Sequence, residues 1–439
     1  MAASGPGRAL VVGLGLSGRA AAALLARRGW SVTAVDAGPA EGAAAVLEPL
    51  GVEVRTGHAG AVPGVDLVVK SPGVPGEDEA IAAARAGGVP VWSEIELAGR
   101  ESPNPVLAIT GTNGKTTTTE LTAHLLRSAG RAAVACGNVG TPVAGLVDAV
   151  DPAAWLVMEC SSFQLEDIER FHPAGAVLLN LSPDHMDRHG SMDAYRRAKL
   201  RIFERQEPGD LAILPAPLLA TGRAASRRLA EHAGEPDAAA WSEGGLHVAR
   251  LGWIIDWADV PLRGRHNREN AMAAAALAAH AGLTGAEIAA GLRSFTPVAH
   301  RLEPVGERGG VAYVNDSKAT NPDAVLAALD AYPAGVRLIA GGRDKGTPFE
   351  ALARAAAGAV THAYLMGEAG PTLAAAFAEA GVAHSVLPTM ADALAAAAAH
   401  ARPGETVLLS PACTSFDQFG SYGERGEAFR ALVAELPAS

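Results

Sequence analysis

The chain has 439 residues, more than one hydrophobic core usually supports, so we expect two to four domains. Its net charge of −11 argues against a nucleic-acid-binding protein, since such proteins carry a basic surface. No run of about 18 apolar residues is present, so neither a membrane span nor a secretory signal is expected. Three widely separated cysteines without metal-site spacing fit a reducing cytoplasm, which is the expected location.

The first segment has the spacing Gly-x-Gly-x-x-Gly within Ala9–Gly18, between an apolar run and a small-residue helix. The following strand ends at Asp36, 18 residues beyond the last glycine. This pattern predicts a Rossmann-like unit that binds a nucleotide diphosphate, ordinarily NAD or FAD. Alternatively, the glycines only allow strand and helix to pack closely. A further strand, Asp66–Val69, leads into Ser71–Val74, where the same site could continue.

The motif around which the chain is organised is Thr110–Thr116, Thr-Gly-Thr-Asn-Gly-Lys-Thr. It lies between an apolar strand, Val106–Ile109, and a helix predicted over Glu120–Ser128. Such a loop binds a polyphosphate through its backbone N–H groups, while Lys115 reaches the outer phosphates and the hydroxyl of Thr116 can bind Mg²⁺. We interpret it as a nucleoside triphosphate site; the alternative is an ordinary glycine-rich turn.

Later apolar runs alternate with helical stretches, which predicts parallel sheets covered on both faces. These runs are Trp155–Met158, Ala176–Leu179, Leu211–Leu214, Val311–Val314, Val336–Ala340, Ala363–Met366 and Thr406–Leu409. A helix is expected over Asn267–Ala281, and no structure is predicted for residues 216–245.

Two boundaries divide the chain, a linker at Gly99–Pro105 and a turn near Phe295–Val298. We therefore predict three α/β domains. They are a Rossmann-like N-terminal domain (1–98), a central P-loop ATPase-like parallel-sheet domain (99–297) and a C-terminal Rossmann-like domain (298–439).

Ligands of open α/β sheets bind beyond the carboxyl ends of the strands, and polar residues follow many of the predicted strands. Glu159, at the end of its strand, is placed to be a second Mg²⁺ ligand beside the loop. For both Glu159 and Asp316, the alternative role is to cap the helix that follows. His185 is a candidate metal ligand, with a structural role as the alternative. Lys318, Arg343 and Lys345 could stabilise the charge that develops in phosphoryl transfer, or form a solvated basic face.

Together these features suggest an ATP-dependent ligase, in which a carboxylate attacks the γ-phosphate and an amine then displaces phosphate from the acyl phosphate. Two alternatives stay open. An NAD-dependent oxidoreductase would explain the first glycine motif alone, and a P-loop ATPase acting as a conformational switch would need no carboxylate or amine pocket.

Over essentially its whole length the chain resembles the Mur ligases. The motifs that carry the resemblance are Thr110–Thr116, Glu159–Glu166, Asp184–Arg188, Asn315–Asn321 and Ser410–Phe419. The last four are most similar to those of the family member that adds D-glutamate to UDP-N-acetylmuramoyl-L-alanine in peptidoglycan precursor synthesis. The resemblance implies ATP and two Mg²⁺ ions, small-molecule substrates and a monomer; the preference between glutamate enantiomers stays open.

The resemblance also implies the site residues and reassigns the N-terminal fold from NAD to the UDP part of the substrate. The implied UDP-substrate residues are Leu14, Gly15, Leu16, Ser17, Asp36, Gly73, Asn138 and His185. The implied ATP residues are Gly111, Thr112, Asn113, Gly114, Lys115, Thr116, Thr117, Asn267, Arg301 and Asp316. The implied D-glutamate residues are Thr320, Lys345, Ser415 and Tyr422, the last where the family has Phe. The implied Mg²⁺ ligands are Thr116, Glu159, His185 and Lys199 as a carbamate. The implied catalytic residues are Lys115, His185, Lys199 and Lys318.

Overall fold

The structure is a computed structural model that describes residues 6–57, 60, 62–230, 237–242, 244–262, 264–296, 299–344 and 346–437. The described chain forms two compact units, Met1–Val260 with Asn270–Ser294, and Pro261–Glu269 with Phe295–Ser439. The predicted boundary between residues 297 and 298 lies outside the described residues, as does the predicted site residue Lys345. Among the described residues, no helix is long and apolar enough to cross a membrane.

The first sheet has five parallel strands in the order β3-β2-β1-β4-β5. The strands are β1 (Arg8–Val12), β2 (Ser31–Asp36), β3 (Glu53–Thr56), β4 (Leu67–Lys70) and β5 (Val91–Ser93). The helices are α1 (Leu16–Arg27), α2 (Ala43–Leu47), α3 (Glu79–Ala86) and α4 (Glu94–Glu101). Strand β1 is central because Ala9–Val12 are apolar on both faces and buried. A Cβ on Gly18 of α1 would lie 1.8 Å from the Gly13 carbonyl oxygen, so the third glycine of the motif permits close helix–strand packing.

The second sheet has nine strands in the order β14-β13-β12-β11-β10-β9-β6-β8-β7. Its strands are β6 (Val106–Thr110), β7 (Ala133–Gly137), β8 (Trp155–Glu159), β9 (Gly175–Leu178), β10 (Leu211–Ile213), β11 (Ser226–Ala230), β12 (Asp237–Ser242), β13 (Gly245–Val248) and β14 (Gly252–Asp256). Only the pairs β12–β13 and β13–β14 are antiparallel among the described pairings. The segment 216–245, for which the sequence predicted no structure, therefore contributes strands to this sheet.

Six helices belong to the same region. They are α5 (Lys115–Ser128), α6 (Ser162–Leu165), α7 (Met186–His189), α8 (Met192–Leu200), α9 (Arg265–His280) and α10 (Gly285–Ser294). Helix α5 begins five residues before the predicted start at Glu120. Four consecutive threonines disfavour a helix start by propensity, but Thr116–Thr119 are buried and their packing overrides that preference.

The third sheet has six strands in the order β15-β16-β20-β17-β18-β19, with only β15 antiparallel to its neighbour among the described pairings. The strands are β15 (Glu303–Arg308), β16 (Val311–Asn315), β17 (Val336–Gly341), β18 (Val360–Met366), β19 (His384–Leu387) and β20 (Thr406–Leu409). The helices are α11 (Pro322–Ala331), α12 (Glu350–Ala359), α13 (Gly370–Glu379), α14 (Met390–His400) and α15 (Tyr422–Glu435). Apolar side chains pack on both faces of this sheet. The predicted α/β class with mostly parallel sheets is confirmed.

Candidate active site

A cavity of about 540 Å³ lies beyond the carboxyl ends of β1 and β4 in the first sheet. Its lining includes Gly15, Leu16, Ser17, Asp36, Gly73 and Asn138, six of the residues implied for the UDP substrate. Leu14 is not among the lining residues, and it is buried in the core. Among the described residues, those that line the cavity include no lysine or arginine. A phosphate bound here would therefore depend on backbone N–H groups at the start of α1.

The carboxylate of Asp36 is occupied by backbone groups of the same loops. It accepts hydrogen bonds from the N–H of Leu14 at 2.6 Å and from the N–H of Gly38 at 2.8 Å. These bonds fix the glycine motif against the end of β2. Asp36 thus shapes the cavity as well as lining it.

The loop between β6 and α5, residues 110–116, is called the phosphate loop here. Gly114 is left-handed (φ +87°) and caps α5, and a Cβ there would lie 2.3 Å from Oδ1 of Asn270. The Nζ of Lys115 donates to the carbonyl oxygens of Gly111 at 3.0 Å and Thr112 at 2.8 Å, across the loop. The loop leaves backbone N–H groups at the first turn of α5, where an anion is stabilised.

A buried pair at the start of α5 fits a Mg²⁺ ion. The hydroxyl of Thr116 donates to Oε2 of Glu159 at 2.7 Å, and both residues are almost fully buried. The Nδ2 of Asn138 donates to the other carboxylate oxygen at 3.1 Å. A hydroxyl and a carboxylate are oxygen ligands of the kind Mg²⁺ prefers, with substrate phosphates and water completing the set. Asn138 also lines the cavity of the first sheet, so one side chain touches both predicted sites.

Lys199, on α8, is 2% exposed and lies against the phosphate loop. Its Nζ donates to the Gly111 carbonyl oxygen at 2.8 Å and to Oγ1 of Thr110 at 3.3 Å. Burial, and then the nearby charge of Lys115, hold the pKa of Lys199 well below its usual value, while Asp184 and Glu159 oppose the shift. A lowered pKa favours the neutral amine, which is the form that reacts with CO₂.

His185 lies in an aromatic cluster built on Phe163. The His185 ring meets Phe163 edge-on with centroids 5.0 Å apart, and the backbone of His185 is left-handed (φ +54°). Its Nε2 is 3.6 Å from Oδ2 of Asp184. Arg188 lies 4.3 Å over the Phe163 ring and donates to the carbonyl oxygens of Gly73 and Val74 in the cavity of the first sheet. In the described residues, no cluster of three or more His, Cys, Asp or Glu side chains could hold a metal.

In the second unit, Asp316 is buried at the end of β16. It accepts from the hydroxyl of Ser410 at 2.8 Å and from the Leu302 N–H at 3.2 Å. Burial raises the pKa of Asp316 to about 7, against the opposing charge of Arg301. The Nε of Arg301 is buried without a hydrogen-bond partner among the described residues, which fits a group that receives a ligand. His266 has its pKa lowered to about 4 by burial and by Arg301, and the neighbouring Asn267 is buried in the first turn of α9.

The described residues implied for glutamate are Thr320, Ser415 and Tyr422, and Tyr422 begins α15. The Nζ of Lys318 is 5.2 Å from the centre of the Tyr422 ring, a cation–π distance. The hydroxyl of Ser317 donates to the Tyr422 carbonyl oxygen at 2.8 Å, which ties the two segments together. Ser415 is buried, and the Thr320 N–H donates to the Lys318 carbonyl oxygen. Arg343, predicted to join a basic cluster, instead pairs with Glu368 at 2.9 Å.

Comparisons with known proteins match the whole described architecture. Residues 7–93 match the "Mur ligase MurD-like, N-terminal domain", residues 109–278 the "Mur ligase middle domain" and residues 300–413 the "Mur ligase, glutamate ligase domain". A UDP-N-acetylmuramoylalanine–D-glutamate ligase from Myxococcus xanthus is 44% identical, and one from Solibacter usitatus is 43% identical; each alignment covers 98% of both chains. The chain belongs to the Mur ligase family. Members of this family use ATP and Mg²⁺.

Solved structures of other ligases share the fold of this Mur ligase. A pseudomurein peptide ligase type C from Methanothermus fervidus has a TM-score of 0.63 at 16% identity. A UDP-N-acetylmuramate–alanine ligase from Thermotoga maritima has a TM-score of 0.60 at 20% identity. Each comparison covers 98% of this chain and 100% of the solved chain. At such identities the likeness concerns the fold.

Three polar residues of this Mur ligase, two in the first unit and one in the second, make hydrogen bonds beside predicted site residues but were given no role by sequence reasoning. Tyr195 is buried, and its hydroxyl lies 3.1 Å from Oγ1 of Thr112. Arg425 is buried and donates to the hydroxyl and the carbonyl oxygen of Ser317. Asn180 holds the phosphate loop through its side chain. Of these three, only Asn180 could have been found from the sequence, because it lies just after a predicted strand. Tyr195 and Arg425 lie on helices, where no motif marks them as functional.

Proposed function

We propose that the chain is an ATP-dependent ligase that joins D-glutamate to UDP-N-acetylmuramoyl-L-alanine in peptidoglycan precursor synthesis. The observation that carries this proposal is the identity of 44% over 98% of both chains to a ligase of that name. The geometry of the phosphate loop and of the Thr116–Glu159 pair supports it, since both fit a bound nucleoside triphosphate with Mg²⁺.

In the first step, a carboxylate oxygen of the alanyl substrate attacks the γ-phosphorus of ATP. The bond between that phosphorus and the bridging oxygen breaks, ADP leaves and an acyl phosphate forms. The nucleotide-sugar part occupies the cavity of the first sheet, and Asn138, which contacts both this cavity and Glu159, orients the substrate towards the phosphate loop. Lys115 stabilises the charge on the phosphates.

In the second step, the amine nitrogen of glutamate attacks the acyl carbon, inorganic phosphate leaves, and the amine loses a proton to give the amide. Thr320, Lys345, Ser415 and Tyr422 form the glutamate pocket in this proposal. Lys318, which lies over the Tyr422 ring, is the cation there that can stabilise a carboxylate or the leaving phosphate.

Two Mg²⁺ sites complete the proposal. Thr116 and Glu159 would hold one ion, and His185 with a carbamate on Lys199 would hold the other. The ions neutralise charge on the phosphates. We also assign Asn267, Arg301 and Asp316 to ATP binding. Domains at 1–98, 99–297 and 298–439, a monomeric state and a cytoplasmic location belong to the same proposal.

The experiment that tests the function measures phosphate release with ATP, Mg²⁺ and UDP-N-acetylmuramoyl-L-alanine, adding either D- or L-glutamate. We expect release only with the D enantiomer, together with a product heavier by one glutamyl residue. An NAD-dependent oxidoreductase would instead change NADH absorbance. A conformational ATPase would release phosphate without either substrate, and either result would overturn the proposal.

A further inference from the structure

Asn180 lies two residues beyond β9 and makes a two-point contact with the phosphate loop. Its Oδ1 accepts from the backbone N–H of Asn113 at 2.9 Å, and its Nδ2 donates to the Asn113 carbonyl oxygen at 3.1 Å. Both hydrogen bonds go to one residue, as they would between paired strands. In addition, the backbone carbonyl oxygen of Asn180 accepts from the Thr112 N–H at 3.1 Å.

The contact continues along the chain after Asn180. The Ser182 N–H donates to Oγ1 of Thr112 at 3.0 Å, and that oxygen lies 3.1 Å from the Ser182 carbonyl oxygen. The segment 180–182 leads directly to Asp184 and His185. The phosphate loop is therefore hydrogen-bonded, residue by residue, to the segment that carries a proposed metal ligand.

The phosphate loop needs such support because ordering its backbone costs conformational entropy. Gly111 and Gly114 on either side of Asn113 both have positive φ, +152° and +87°, and glycine loses the most backbone freedom when it is ordered. The Asn113 N–H points to Asn180, so it is not a phosphate donor. A helix N-terminus stabilises an anion through its first N–H groups, and the direction of those at the start of α5 depends on how Asn113 is held.

We propose that Asn180 is a positioning residue for nucleotide binding: its side-chain amide fixes the Asn113 peptide and thereby aims the N–H groups at the start of α5 at the phosphates. This role rests on the proposed function for its nucleotide, and it assigns Asn180 no contact with the reacting atoms. Without these two hydrogen bonds, Gly111 and Gly114 allow the phosphate loop to adopt other conformations. We therefore expect the affinity for nucleotide to fall.

The test compares Asn180→Leu, which keeps the approximate size but removes both hydrogen bonds, with the matched control Asn104→Leu. Asn104 is buried more fully than Asn180, which is half-buried, and its Nδ2 donates to the carbonyl oxygens of Asp151 at 2.7 Å and Ala154 at 2.9 Å. It precedes β6, at the opposite end of the strand from the phosphate loop. Asn104→Leu therefore reports what the loss of a buried, doubly bonded amide does to stability alone.

The first readout is the Kd of ADP with Mg²⁺ by calorimetry, which needs no turnover. We expect Asn180→Leu to raise the Kd of ADP roughly tenfold or more, because two hydrogen bonds together usually contribute at least that much in binding free energy. The KM for ATP should rise similarly, while the KM for the nucleotide-sugar substrate stays within about twofold. Asn104→Leu should lower the thermal midpoint comparably and leave the ADP Kd at the wild-type value.

An ADP Kd within about twofold of wild type in folded Asn180→Leu would overturn the positioning role, as would an equal loss of ADP binding in Asn104→Leu. If Asn180→Leu does not fold, Asn180→Ser is judged by the same two criteria, because its hydroxyl is too short to bridge both groups of Asn113. A wild-type protein that binds ADP but forms no amide would count against the proposed function and leave the Asn180 measurement intact.

Discussion

The side chains of Lys115 and Lys199 converge on one backbone atom, the carbonyl oxygen of Gly111, with their Nζ atoms 3.0 Å and 2.8 Å away. Two ammonium ions so close would repel each other. Burial of Lys199, followed by the charge of Lys115, resolves this by holding the pKa of Lys199 far below its usual value. We therefore expect the two lysines to differ in chemistry: Lys115 is the proposed cation for the phosphates, and the lowered pKa of Lys199 favours its neutral amine.

Lys115→Ala is expected to abolish most turnover while the protein stays folded. The lysine is partly exposed at the start of α5, and its loss removes the positive charge nearest the proposed phosphates without opening the core. We expect phosphate release to fall by about a thousandfold, the size typical of a lost group that stabilises transition-state charge. Arg127→Ala, at the opposite end of α5, is the control and should release phosphate normally. Normal release by folded Lys115→Ala would refute the ATP assignment.

Glu159→Gln is expected to raise the Mg²⁺ concentration needed for activity. The substitution keeps the side-chain shape but removes the anionic oxygen that faces the Thr116 hydroxyl, and Mg²⁺ prefers charged oxygen ligands. Phosphate release measured over a Mg²⁺ series should shift to higher concentrations and reach a lower maximum. Glu169→Gln, on the surface beside Arg100, serves as control. An unchanged Mg²⁺ curve in Glu159→Gln would exclude this residue as a ligand.

Lys199→Ala is expected to be nearly inactive and to regain part of its activity when formate or acetate is added. A neutral buried amine takes up CO₂ to give a carbamate, and a small carboxylate can supply the missing anionic oxygen to Mg²⁺. Activity is measured with and without the added anion, and intact mass shows whether the wild-type amine is modified. Arg197→Ala, an exposed neighbour on α8, should need no rescue. Substantial activity in Lys199→Ala without an added anion would argue against the carbamate.

The pH dependence of stability is expected to include a contribution from Glu94, at the start of α4. Burial raises its pKa to about 7, even though its Oε1 accepts from the Ala144 N–H at 2.5 Å. Because the folded-state pKa is raised, the stabilising contribution is complete below the unfolded value of 4.5 and is lost as the pH rises through 7. The shift corresponds to a free energy of a few kcal/mol.

Glu94→Gln removes this titration, because the amide oxygen can still accept the same hydrogen bond and carries no charge. The thermal midpoint of the wild type should therefore fall relative to Glu94→Gln between pH 5 and pH 8. The comparison of the two proteins at each pH cancels the titration of all other groups. A constant difference across that range would show that the carboxyl of Glu94 does not titrate there.

The sequence by itself determined most of the strands and the phosphate loop, because both are local. A buried parallel strand such as β8 or β20 is a short apolar run, and a loop that binds phosphate needs glycines at fixed positions next to a helix. The start of α5 was misjudged, since helix propensity disfavours four threonines that tertiary packing buries. Strands β11–β14, which extend the sheet from β10, were among the strands not foreseen, because their sequence pattern is weak.

Only the tertiary structure decided which polar groups meet. Asn138 and Glu159, 21 residues apart, and Lys199 and Gly111, 88 residues apart, are in contact because parallel strands bring their carboxyl ends to one edge of the sheet. The direction of a pKa shift likewise depends on burial and neighbouring charge, which no local pattern records. Asn180 was visible as a polar residue after a strand, but its two hydrogen bonds to Asn113 depend on the packing of two loops that are 67 residues apart.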